Sequence, residues 1–95
     1  GAGHAGLRVV NAAVIKAESS LAVDATISRS RLTRVLYPQQ LQVNLVNADG
    51  TIAATGKRLI SAADMGRLNS RDYHLQIAFA DVAQTEDYTV SVQWL

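Results

Sequence analysis

Two stretches near the end of the chain alternate apolar and polar residues with period two. In the first, Tyr73, Leu75, Ile77 and Phe79 share one face and His74 and Gln76 lie opposite; in the second, Tyr88, Val90, Val92 and Trp94 face one way and Thr89, Ser91 and Gln93 the other. Such alternation predicts a pair of half-buried antiparallel strands. Four of the five aromatic residues lie in them, so these strands are expected to form the centre of the core, with Trp94 as an anchor.

The same period recurs upstream. Leu21, Val23, Ala25 and Ile27 alternate with polar or small residues, as do Leu41, Val43 and Leu45 with Gln40, Gln42 and Asn44. Leu7 to Ala17 is apolar on both faces and rich in β-branched pairs, which predicts a strand with a bulge near Asn11 that lets it change partners. Turn residues at 17–20 join it to the next strand as a hairpin. Asp49-Gly50 predicts a second hairpin, since glycine tolerates positive φ and aspartate bonds its own backbone. Its return strand, from Thr51 to about Leu59, is alanine-rich and interrupted by Gly56, the composition of an edge strand. Two crossings remain. Leu32, Val35 and Leu36 recur at helical spacing behind Ser30 until Pro38 intervenes, and Ser61 with Asp64 has the form of a capping box.

These readings give about six strands near residues 7–16, 20–28, 40–47, 51–59, 72–80 and 87–95, with one or two short helical turns in the crossings. The fold class they predict is all-β: a two-sheet antiparallel β-sandwich making one domain over residues 7–95. Residues 1–6, with three glycines, read as a flexible tail or tag remnant. The segment Thr85-Glu86-Asp87-Tyr88-Thr89-Val90-Ser91-Val92 resembles a strand of fibronectin type III and related immunoglobulin-like domains in which a tyrosine at a corner precedes alternating valines. That resemblance implies an immunoglobulin-like sandwich, a transthyretin-like one being the alternative, of the kind found in bacterial extracytoplasmic accessory modules.

Composition narrows the chemistry. The formal net charge of the 95-residue chain is +1, so no general basic field draws it to nucleic acid. There is no cysteine, which removes disulfides, thiol catalysis and thiolate metal sites. No apolar run approaches the roughly 20 residues of a membrane-spanning helix. Hydrolytic catalysis lacks a recognisable frame, there being no Gly-x-Ser-x-Gly elbow and no glycine-rich phosphate loop. No enzyme activity and no cofactor are therefore expected.

Two candidate sites remain. Arg29, Arg31 and Arg34, with Tyr37, crowd the first crossing and offer guanidiniums beside apolar residues. They suit a protein partner bearing acidic groups, bound through loops or through a free sheet edge by β-strand addition. The alternative function is that of a periplasmic copper carrier of the small β-sandwich type, with His4, Met65 and His74 as the available ligands. The preferred expectation is a non-catalytic periplasmic or secreted interaction module.

Overall fold

The computed structural model describes residues 3–4, 6–29, 37–61, 63–64 and 72–95. Among the described residues there are seven strands: β1 (Gly3–His4), β2 (Leu7–Lys16), β3 (Leu21–Arg29), β4 (Gln39–Val46), β5 (Ile52–Ile60), β6 (Asp72–Phe79) and β7 (Thr89–Trp94). They make two antiparallel sheets, one four-stranded in the order β1-β2-β3-β6 and one three-stranded in the order β5-β4-β7. The chain is all-β, and the six longer strands match the periodic segments of the sequence.

The two sheets share one core. Leu21, Val23, Ala25 and Ile27 of β3 and Leu41, Val43 and Leu45 of β4 are completely excluded from solvent, as is Ile60 at the end of β5. Leu7, Leu75, Ile77 and Phe79 complete the buried cluster. β3 has a strand on each side, and so does β4. Their inward residues are therefore covered by neighbours as well as by the opposing sheet. Non-polar burial at about 25 cal/mol per Å² makes these two strands the energetic centre.

That placement corrects the expectation that β6 and β7 form the centre as a pair. β6 joins β3 in one sheet and β7 joins β4 in the other. Both inward registers are right, but the two differ in depth: Leu75, Ile77 and Phe79 of β6 are buried, whereas Tyr88, Val90, Val92 and Trp94 are only half-buried. Aromatic bulk predicted the face correctly and the centre wrongly: both strands are outermost in their sheets, and β6 is the deeper because β5 lies close over Ile77 and Phe79 at Gly56.

The bulge in β2 is present, with Val9 opposite Ile27 and Asn11 opposite Thr26, leaving Val10 as the extra residue. It inverts the inward set from Leu7 and Val9 to Ala12 and Val14, which explains why the segment is apolar on both faces. The expected change of partner does not occur: β2 pairs with β3 on both sides of the bulge. Val10 and Ile15 are left exposed.

The turns follow their residues. Gly50 has φ +88°, and Asp49 accepts bonds from the Thr51 amide at 3.0 Å and the Thr51 hydroxyl at 2.6 Å. These bonds hold the Asp49 carboxyl below its ordinary value of 3.8, the hydroxyl being the larger cause. Ser61 and Asp64 form the reciprocal capping arrangement: the Asp64 amide donates to Ser61 Oγ at 3.1 Å, and the Ser61 amide donates to Asp64 Oδ2 at 2.9 Å. At the corner before β7, the Tyr88 hydroxyl donates to the Ala83 carbonyl at 2.8 Å. The helical turn expected behind Ser30 lies outside the described residues.

Candidate functional site

Strand direction sorts the charges. β2, β4 and β6 all run toward the end that carries the 17–20 hairpin, the 47–51 hairpin and the 80–88 loop, while β3, β5 and β7 run back. The first end holds Glu18, Asp49, Asp81, Glu86 and Asp87 with Lys16 alone opposing them among the described residues. The opposite end, where the chain leaves β3 at Arg29 and re-enters at β4, carries Arg8 and Arg29 at the strand termini and Lys57 and Arg58 on the nearer half of β5. The carboxylates described there are Asp64 and Asp72. A net charge of +1 thus conceals a molecule with an acidic end and a basic end.

At the basic end a cleft of about 360 Å³ opens, lined by Gly6, Arg8, Val10, Ser28 and Arg29. Its geometry follows from register. Arg8 lies opposite Ser28 and Leu7 opposite Arg29, so Arg8 and Ser28 share the outer face of the sheet while Arg29 follows the inward register of Ile27 and meets the cleft where β3 ends. β1 folds against Leu7 and Arg8 and, with Gly6 at φ 78°, brings the chain round one wall. Arg8 is exposed and Arg29 half-buried, and Asp72 of β6 lies opposite Ser28 on the other side of β3. Arginine in this setting offers bidentate bonds to a carboxylate or a similar planar anion.

Of the residues predicted to bind, Arg29 lines this cleft and Tyr37 stands 74% exposed just before β4. Arg31 and Arg34 lie outside the described residues. Arg8 was missed, because it follows the glycine-rich opening and only the β2–β3 register brings it beside Arg29. The copper alternative fares differently. His4 is on β1 and His74 on β6, the two outer strands of the four-stranded sheet, so three strand spacings, roughly 14 Å, separate their backbones. His74 is exposed and its Nδ1 lies 3.0 Å from the Thr26 hydroxyl. Met65 lies outside the described residues, and no cluster of three potential metal ligands occurs among those described.

The sheet edges form a second kind of site, and three of the four long edge strands carry a device that blocks pairing. β2 has its Val10 bulge and is partly covered by β1. On β6, the Gln76 carbonyl accepts a bond from Arg58 of the other sheet at 2.8 Å. β5 is bulged at Ala53, since Leu45 faces Ala54 and Val46 faces Ile52, and it bears Lys57. Gly56 also sets β5 close over β6: a Cβ there would come within 2.6 Å of Ile77 Cγ2. The strand from Thr51 has the composition of an edge strand, but these features defend it against the addition of another chain. β7 is the exception. Its pairing with β4 is regular from Thr89 to Trp94, and the strand contains no charge, proline or glycine.

The outer face of the three-stranded sheet is polar but internally satisfied. Asn44, expected to point outward, does so and yet is buried, because Thr55 and Ser91 flank it in register. The Thr55 hydroxyl donates to Asn44 Oδ1 at 2.8 Å, and the Asn44 amide reaches Ser91 Oγ at 3.4 Å. No helix among the described residues is long and apolar enough to cross a membrane. Comparison with protein families, curated proteins and solved structures finds no match for this chain.

Proposed function

We propose that this chain is a non-catalytic interaction module that binds acidic groups of a protein partner at its basic end. The observation that carries the reading is the cleft at the basic end, which both Arg8 and Arg29 line together with Ser28. The exposed Tyr37 adds an amphipathic ring near the same end, the residue type that most often accompanies arginine in protein contacts. An immunoglobulin-like sandwich is the architecture that goes with this role. It is supported by the order of β2, β3 and β6 in one sheet and by the Tyr88 hydroxyl bound back across its corner. An extracytoplasmic, bacterial setting is part of the same reading and rests on the sequence resemblance alone.

The test is affinity capture from bacterial envelope extract, with the native chain and Arg8→Glu plus Arg29→Glu run side by side at low and high salt. Proteins held by the native chain should be lost from the variant and released by salt, since exposed charges are screened beyond roughly 10 Å at 0.1 M ionic strength. Identical capture by both chains at both salt concentrations would place the binding surface elsewhere.

A further inference from the structure

β7 is an edge strand without the protections found on the other three. The amide of Leu95 donates to the carbonyl of Gln40 at 2.9 Å. In an antiparallel ladder the direction of backbone groups alternates, so Ser91 and Gln93 also turn their N–H and C=O toward β4. Val90 and Val92 therefore turn theirs to the open side, where no strand pairs with them among the described residues. Beneath this edge runs a seam of half-buried apolar residues, with Val9, Ala12 and Val14 of β2 on one wall and Val90, Val92 and Trp94 on the other. An uncharged, β-branched strand above such a seam is a template for a further strand.

We propose that the strand it receives is β7 of a second copy of this chain, paired antiparallel about a two-fold axis, so that the two three-stranded sheets become one sheet of six. The charge distribution selects this occupant. β7 starts at the acidic end, behind Glu86 and Asp87, and finishes at the basic end. Antiparallel pairing sets the acidic end of each copy beside the basic end of the other, whereas parallel pairing sets like beside like. A register centred on Val92 places Val92 opposite its counterpart and Val90 opposite Trp94, so apolar residues meet on the inner face. Ser91 then meets Gln93 on the outer face. The two-fold axis brings both apolar seams together and covers each with the other.

This association does not depend on capture of an acidic partner. Sedimentation equilibrium of the 95-residue chain should show a monomer–dimer equilibrium that weakens with salt. Val92→Pro removes an amide that faces the open edge and leaves the Ser91 and Gln93 bonds to β4, so it should give a folded monomer. Charge variants supply the measurement if that protein does not fold. Glu86→Lys with Asp87→Lys should weaken the dimer roughly tenfold, and so should Arg8→Glu with Arg29→Glu. All four together reverse the polarity of both ends and should restore dimerisation, although they would not restore capture of an acidic partner. A monomer at every concentration at low salt overturns the proposal and leaves β7 to an extended segment of a different protein. A dimer indifferent to all of these charges, or weakened further by the fourfold change, overturns it equally.

Discussion

The two long sides of the sandwich solve the same problem differently. On the β5/β6 side the chain closes itself: Arg58 crosses from one sheet to bind the Gln76 carbonyl of the other, and Gly56 lets the β5 backbone settle on Ile77 and Phe79. Ile77 and Phe79 are buried as a result. On the β2/β7 side the facing residues are Val9, Ala12, Val14, Val90, Val92 and Trp94, and all are half-buried. A sandwich needs only its central strands to hold a core; how its sides are finished decides what it can still bind.

The comparison can be broken by substitution. The largest effects belong to the large side chains of each side. Phe79→Ala should cost about 3 to 5 kcal/mol, whereas Trp94→Ala, removing a larger but half-buried ring, should cost about half as much. Equal losses in denaturant titration would show the two sides to be closed alike. Gly56→Val should cost about 1 to 3 kcal/mol, since the new side chain must displace Ile77 or lift β5 away. A neutral result would mean that β5 does not rest on β6.

Smaller changes sharpen the contrast. Arg58→Met keeps the aliphatic stem but frees the Gln76 carbonyl, for an expected loss of about 0.5 to 1.5 kcal/mol by thermal denaturation. It should also leave β6 open to pairing, so that self-association then rises on that side. The smallest effect lies at the hairpin that feeds β5. Asp49 has a folded pKa below its ordinary 3.8, so the stability it contributes is complete above that value and is lost as pH falls through the lower folded value. Thr51→Val removes the hydroxyl bond that is the main cause. NMR titration should then find the Asp49 carboxyl moved up toward 3.8.

Much of the fold was legible because inward positions repeat every second residue, and β3 and β4 announce themselves through Leu21–Ile27 and Leu41–Leu45. Asp49-Gly50 and Ser61 with Asp64 were equally plain, since those residues act through their immediate neighbours. How each edge is covered was not legible: Trp94 looks like a core anchor until β7 is seen to border the open β2/β7 side, whereas Phe79, also on an outermost strand, is buried beneath β5. Gly56 reads as a weakness in a strand, and only the approach of Ile77 shows it to be a requirement. The basic site was half visible. Arg29 stands in an arginine-rich segment, but Arg8 is distant in sequence and joins it through the pairing of β2 with β3.

Amide hydrogen exchange along β7 tests most directly the claim that the β2/β7 side is open and the β5/β6 side closed. In protein dilute enough to be monomeric, the amides of Ser91 and Gln93 should be protected by β4 while those of Val90 and Val92 exchange rapidly, giving an alternation that fades as concentration rises. Uniform protection of all four amides in dilute protein, unchanged by concentration, would mean that the edge is already covered and would contradict the account.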